Sequence, residues 1–425
     1  MTAAVDRMTP LRAAPAWAGH AAGTPTYRRI VVALMAGGLA NFSLMYFVQP
    51  LLPMMAAHYG VTAAESAHAL SITTLTIILG LAATGPLADR VGRVAVMRWS
   101  LLASGVLGLL SAVAPTWPAL LLLRGLLGLT LAGLPGAALA YLREEVDGPS
   151  HPRANAAYIA GTAVGGAAGR LLPGPLAAIG GWPLAAGVVS LVTLAAGILL
   201  LVLLPPSRGF RAHPVALRET LLGTLRAPAD RVVALVCAVG FAAMGAFVGV
   251  YNAVAFRLQA APFLLGAAAS LVYLAYPVGI AAPAVARALA ARIGRGRSVT
   301  AGVALLAVSV VLISFPALPA VVAGLGLITF AFLGTHSLLS GWVVDRAQRT
   351  GRGTAQASSA YLGTYYLGST LAGALATWLW QTGGWVGVAV LGLGLCAIAA
   401  TAAVAATRSD PSPQQVGEDD AIALA

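Results

Sequence analysis

Lysine is absent from this chain of 425 residues; apart from 6 histidines, all of its basic side chains are arginine. Charge of either sign is scarce, at 9% of residues, where a soluble domain carries about 25%. So few charges cannot clothe a surface that faces water, which excludes an ordinary soluble enzyme. Cysteine is nearly missing. Cys237 and Cys396 both lie in apolar runs, where they read as buried free thiols rather than as a disulfide or a metal site. No Asp or Glu falls well inside an apolar run. No His-Glu-x-x-His, Gly-x-Ser-x-Gly or nucleotide-binding P-loop motif occurs, so neither intramembrane hydrolysis nor direct consumption of ATP is expected. No cofactor or metal is called for.

What is present is 59% hydrophobic residues and 49 glycines, the composition of close-packed membrane helices. The apolar runs predict an all-α membrane protein with twelve transmembrane helices, at 30–57, 66–88, 94–114, 118–141, 154–178, 183–204, 231–256, 265–289, 298–316, 319–342, 354–379 and 384–406. The first run is too long for a signal-peptide core and lacks a clear cleavage site, so it is expected to stay as a span. Division follows the polar stretches. A loose N-terminal tail (1–29) precedes a six-helix bundle (30–204). A linker (205–230) with Arg208, Arg211, Arg218 and Arg226 leads to a second six-helix bundle (231–406) and a C-terminal tail (407–425).

The arginines alternate from connection to connection. Arg28 and Arg29 precede the first span. Arg90, Arg93 and Arg98 mark the second connection, and Arg143 and Arg153 the fourth. Arg287, Arg292, Arg295 and Arg297 mark the eighth, and Arg346, Arg349 and Arg352 the tenth. Odd-numbered connections have none, apart from Arg257 at the end of the seventh helix. Positive charge gathers on the cytoplasmic side, so both termini are expected in the cytoplasm of a multi-pass inner (plasma) membrane protein. Clustering of this kind orients a chain in lipid. The net charge of +12 is therefore no sign of a nucleic-acid partner.

The halves repeat. Tyr158, Gly165 and Trp182 recur as Tyr361, Gly368 and Trp385, each pair 203 apart (361 − 158 = 203). Gly180-Gly181 precedes one Trp and Gly383-Gly384 the other. Arg90-Val91-Gly92-Arg93 recurs as Arg292-Ile293-Gly294-Arg295, offset by 202 (292 − 90 = 202). Two pseudo-symmetric bundles of six helices place a pathway between them.

Several stretches carry chemistry. Gly85-Pro86-Leu87-Ala88-Asp89-Arg90-Val91-Gly92-Arg93 joins the second and third spans. Gly85 suits close approach of a neighbouring backbone, Asp89 can pair with an Arg, and Gly92 turns the chain. The cluster can latch one conformation. In the second half Ala291 replaces the Asp, so a latch there should be weaker. Arg124 and Arg170 are embedded cations on adjacent spans; Arg124 is either functional or bonded to backbone carbonyls. Together they invite an anionic group. Gly161, Gly165 and Gly169, with Gly368 in the second half, allow tight helix packing. His336 lies in the tenth span, where it can carry a proton or simply bond a neighbour. Asn41, Phe42, Tyr46 and Gln49 on the first span suit an apolar cavity with a few polar tips, together with Tyr251, Asn252, Tyr273, Tyr276, Tyr361 and Tyr365. Tyr59, Trp182 and Trp385 suit membrane-interface anchors.

The 85–93 stretch resembles the G-x-L-A-D-R-x-G-R signature of the major facilitator superfamily. Leu123–Gly128 is similar to the R-x-x-Q-G motif of proton-coupled drug exporters, with Leu127 in place of Gln. The run 161–170 is similar to the antiporter motif, with Gly166 in place of Pro and Arg170 in place of the last Gly. Tyr46-Phe47-Val48-Gln49-Pro50, His336-Ser337 and Gln356–Tyr361 look most like the YnfM-type group of the twelve-span drug:proton antiporter branch. This resemblance implies secondary active transport by alternating access, with proton-coupled export of a small amphiphilic or drug-like compound by a monomer. An organic anion or sugar-type metabolite held by Arg124 and Arg170 is the alternative, and a membrane sensor that does not transport is a further one.

Overall fold

The computed structural model describes residues 17–210 and 217–410. Most of the expected tails (1–16 and 411–425), and Arg211 of the linker, lie outside the described residues. Among the described residues the backbone is nearly all helical; a single isolated bridge joins His20 to Val146.

Helix α1 (Pro25–Tyr59) starts on Thr24, whose Oγ1 accepts from the Tyr27 amide, and it tightens into a 3₁₀ turn at Gln49–Leu51. Thr62 and Glu65 form a reciprocal capping box at the start of α2 (Ala63–Val91). Then come α3 (Arg93–Ala112), α4 (Trp117–Glu145), α5 (His151–Leu171) and α6 (Pro173–Leu203). The linker forms α7 (Leu217–Arg226). Asp230 caps α8 (Arg231–Arg257) by accepting from the Val232 and Val233 amides. Helix α9 is a pair, Ala268–Ile280 and Ala282–Ile293, bent by 41°. The chain closes with α10 (Arg295–Ser314), α11 (Leu318–Arg349) and α12 (Thr354–Ser409).

Nine helices among the described residues are long and apolar enough to cross a bilayer, ten with the bent pair as one span. The twelve expected stretches fall on helical backbone, except for isolated turn residues and ends. Two of the expected boundaries are glycine breaks inside longer helical runs. Leu172 keeps helical dihedrals, so the α5 backbone runs on into α6 and turns only at Gly180-Gly181, where Gly181 has φ +72°. Gly384, with φ +61°, breaks α12 in the same way. Gly92 (φ +92°) and Gly294 (φ +85°) likewise make the matching α2–α3 and α9–α10 turns. Left-handed dihedrals at these points favour glycine, and the repeat read in the sequence is in part a repeat of such turns.

Helix α1 packs on α5 and α6, and α8 packs on α12. Along α1/α5, a methyl at Gly161, Gly165 or Gly169 would collide with the carbonyl oxygens of Met35, Leu39 and Ser43. A methyl at Gly368 of α12 would collide in the same way with the Phe241 carbonyl of α8. Four-residue spacing keeps the three glycines of α5 on one face, so two backbones run in direct contact. Gly85 departs from the expectation. A methyl there would meet nothing within 4 Å; the close approach on α2 is made by Gly80 against α4. Trp182 also departs from its expected interface position. It is only 3% exposed and lies edge-on to His58 and tilted against Tyr59, because the Gly180-Gly181 turn tucks it inward.

Candidate functional site

The junction of α2 and α3 is an ion-pair cluster. Arg93 reaches Asp89 (Nη1–Oδ1, 2.9 Å) and Glu144 at the end of α4 (Nε–Oε1, 2.9 Å). Arg90 is exposed and stands apart from it. Neighbouring Glu145 is buried, its Oε1 accepting from the Arg208 and Gly209 amides, so the linker is tied to the same corner. In the second half Arg295 still finds a partner, Asp345 of α11, although Ala291 replaces the Asp. That pair is more open, with the Arg295 side chain 37% exposed against 15% for Arg93. A second cluster was not foreseen. Arg346 joins Asp230 and Asp410, and Arg349 and the Trp342 indole also hold Asp410. Burial alone would raise both carboxyls, but the arginine bonds, the Val232 and Val233 amides at Asp230 and the Trp342 indole at Asp410 outweigh it and hold both below the ordinary carboxylate range.

The two embedded arginines have different surroundings. Arg124 donates through Nε, Nη1 and Nη2 to the carbonyls of Ala69, Leu44 and Met45, and it lies over the Phe47 ring. Two of these carbonyls, Leu44 and Met45, lie on α1 just before its 3₁₀ turn and the third, Ala69, on α2, so each of the three guanidinium nitrogens has a protein partner. Arg170 is also fully buried, but in a cage of rings. Its guanidinium carbon lies 3.9 Å from the Tyr46 centroid, 4.9 Å from Tyr276, 5.1 Å from Tyr251 and 5.7 Å from Phe247. Nε donates to Gln49 Oε1 (2.7 Å) and Nη1 to the Gly166 carbonyl (2.9 Å), while Nη2 has no hydrogen-bond partner among the described residues. Gln49 in turn donates through Nε2 to Asn252 Oδ1 at 2.7 Å. The cage therefore draws on α1 and α5 of one half and α8 and α9 of the other.

From the cage, aromatic rings run on toward His336. Phe247 stacks on Phe332 (4.3 Å), Phe332 on His336 (6.0 Å) and His336 on Tyr361 (5.6 Å). Tyr365 lies 4.8 Å from His336. His336 Nδ1 is 2.8 Å from the Tyr361 hydroxyl. Tyr251 bonds Thr329 Oγ1 and stacks on Tyr273, whose hydroxyl is buried without a partner. Asn41 is buried with its Oδ1 unpaired, and Phe42 lies 6.3 Å from Tyr46. The structure thus gathers Tyr46, Gln49, Tyr251, Asn252, Tyr273, Tyr276, Tyr361, Tyr365 and His336 into one contiguous buried cluster, with Arg170 and without Arg124. Phe247 and Phe332, which join the two ends, escaped the sequence reading because a lone Phe in an apolar run carries no signal.

Further hydrogen bonds between the halves gather at the end that carries Glu65. Ala64 donates to Gln381, Ser71 to the Thr370 carbonyl, and the Thr74 and Thr370 hydroxyls share a bond of 2.8 Å. At the Arg93 end, α7 touches both α2 and α12.

Comparison with known proteins agrees with this architecture. Residues 34–355 match the Major Facilitator Superfamily. The chain is 36% identical over 369 residues to the inner membrane transport protein YnfM of Escherichia coli (strain K12), covering 86% of this chain and 87% of that protein. It is 34% identical over 370 residues to the MFS-type transporter YybF of Bacillus subtilis (strain 168), covering 86% of this chain and 90% of the other. Among solved structures, a bacterial homologue of the human lysosomal transporter Spinster, inward-facing and unoccupied, shares the fold with a TM-score of 0.68 at 15% identity. That match covers 92% of this chain and all of the other. The nucleoside transporter NupG matches equally well, with a TM-score of 0.68 at 14% identity, covering 89% of this chain and 99% of the other. The chain belongs to the major facilitator superfamily. It is a membrane transport protein and not an enzyme.

Proposed function

We propose that this protein is a secondary active transporter working by alternating access, with proton-coupled export of a small amphiphilic compound as its activity. In this reading twelve spans form two bundles, 30–204 and 231–406, joined by the 205–230 linker. The tails 1–29 and 407–425 and the Arg93 end face the cytoplasm, as the arginine distribution requires. The protein acts as a monomer. The observation that carries the reading is the aromatic wall from Arg170 to His336, built from both halves at mid-bundle. A site shared between bundles is exposed to one side or the other as the bundles rock. The hydrogen bonds gathered at the Glu65 end then belong to an outward-closed state. His336, bonded to Tyr361, is the group assigned to proton carriage.

Proteoliposomes carrying a pH-sensitive dye test it. Adding a translocated amphiphile should dissipate an imposed pH gradient, and the gradient should drive its uptake. Flux that ignores the gradient would reject proton coupling. No flux for any amphiphile, with a stable partner protein co-purifying, would reject transport in favour of a sensor.

A further inference from the structure

Arg170 is a fully buried cation with no acidic partner among the described residues. The described ion pairs all lie at the Arg93 end of the molecule, at Asp89, Glu144, Asp230, Asp345 and Asp410. Its rings offer π-faces, which attract a cation but do not neutralise it. A buried donor without an acceptor is costly, the more so on a charged group, yet Nη2 is left without one among the described residues.

The arrangement of the guanidinium is informative. Nε and Nη2 share the edge that a carboxylate grips with two parallel bonds. One place on that edge is held by a neutral acceptor, Gln49 Oε1; at the other, Nη2 has no acceptor among the described residues at hydrogen-bond geometry, with the Tyr46 hydroxyl close to the guanidinium. The opposite nitrogen, Nη1, is anchored to the Gly166 carbonyl on the same helix. Gly166 itself leaves room: a methyl there would come within 3.1 Å of the Tyr276 hydroxyl and 3.5 Å of Nη1. The buried, unpaired Tyr273 hydroxyl adds a further donor on the Tyr251 side of the cage.

Resting on the transport reading above, we propose that the Nε/Nη2 edge of Arg170 is a subsite for a small organic monocarboxylate. Its apolar body packs against Tyr46, Tyr251 and Tyr276, and its binding displaces Gln49. A carboxylate is the stronger acceptor, since ionic hydrogen bonds are roughly twice as strong as neutral ones. Displaced from Arg170, Gln49 loses the bond that orients its amide toward Asn252. The Gln49–Asn252 tie between the halves is thereby released. Cargo binding and opening at the Glu65 end become one event, which gives the ligand the differential affinity for two conformations that alternating access requires.

The test uses the purified full chain in nanodiscs. Benzoate, 3-phenylpropionate and hexanoate are titrated against their neutral amides by calorimetry. The wild type should bind at least one carboxylate roughly tenfold more tightly than its amide. Arg170→Gln should abolish that preference, Arg170→Lys should keep part of it, and Gln49→Ala should tighten carboxylate binding. In a Cys237→Ser, Cys396→Ser background, thiol labelling of Ser71→Cys should rise on adding the carboxylate, and should not rise when Arg170→Gln is also present. No preference for any carboxylate over its amide, or a preference that survives Arg170→Gln, would overturn the subsite. Preserved preference with unchanged labelling would overturn the release of the tie. Should Arg170→Gln fail to fold, Arg170→Lys and Gln49→Ala still decide the matter. Flux is measured separately: carboxylate binding without liposome transport rejects the transport reading and leaves the subsite standing.

Discussion

Gln49 on α1 and Asn252 on α8, one from each half of the chain, bond to each other at 2.7 Å beside the Arg170 cage. A side-chain amide is well suited to this place, because it donates and accepts at once: Gln49 accepts from Arg170 while donating to Asn252.

Removing one member of this pair should leave the other buried and unsatisfied. Asn252→Ala is expected to weaken closure at the Glu65 end by about 1–3 kcal/mol. Cysteine labelling at Thr370→Cys from the outer side should increase in ligand-free protein. Unchanged labelling would show that the tie contributes little to closure.

The glycine contacts separate by position. Gly165→Leu and Gly368→Leu force side chains into the carbonyls of Leu39 and Phe241, and each should destabilise by about 1–3 kcal/mol or more. Gly85→Ala meets no neighbour. Within a helix, Ala is preferred to Gly by about 0.5–1 kcal/mol. Thermal unfolding in detergent should therefore lower the midpoint for the first two variants and hold or raise it for the third.

The Asp230–Arg346–Asp410 cluster predicts an acid limb of stability. Both carboxyls titrate lower in the folded chain than when free. Their contribution is thus fully present above the unfolded value of about 3.9, and it is lost as pH falls through the folded values. Midpoints should hold from neutral pH down to about 5 and fall below about 4. Arg346→Gln should lower the midpoint at neutral pH and flatten this acid limb. An acid limb of the same size in the variant would assign it to other groups.

The two turn clusters should differ in weight. Arg93 binds two carboxylates and is the less exposed, whereas Arg295 binds one. Exposed pairs contribute about 0–1 kcal/mol. Arg93→Ala is expected to shift the conformational balance, read by labelling at both ends, several-fold more than Arg295→Ala.

Proton carriage by His336 predicts that His336→Gln, which keeps a hydrogen-bonding group near Tyr361, uncouples transport. Substrate exchange should persist, while acidification driven by substrate disappears. Coupling that survives in this variant would move the role to another group.

Much of the fold was legible in the residues. The twelve apolar stretches fall on helix, and the glycine turns at 92, 181, 294 and 384 stand where the repeat put them. Span boundaries depend on composition averaged over about 20 residues, a local property that needs no partner. The site was only half legible. Arg124 and Arg170 look alike in sequence, each a lone cation in an apolar helix. Arg124 meets two carbonyls of α1 and one of α2, while Arg170 meets rings from the other half of the molecule. Glycine roles divided likewise: Gly165 faces a backbone and Gly85 faces none.

By itself the sequence determined that this chain lives in lipid, that it is helical, and that it repeats about positions 202 to 203 apart. Each of these follows from hydropathy, charge placement and spacing along one chain. Only the tertiary structure decided which embedded arginine has all its nitrogens paired, that Phe247 and Phe332 join the cage to His336, and that Gln49 meets Asn252. Those facts depend on how helices distant in the chain rotate against one another, and that rotation is set by the packing of whole helix faces.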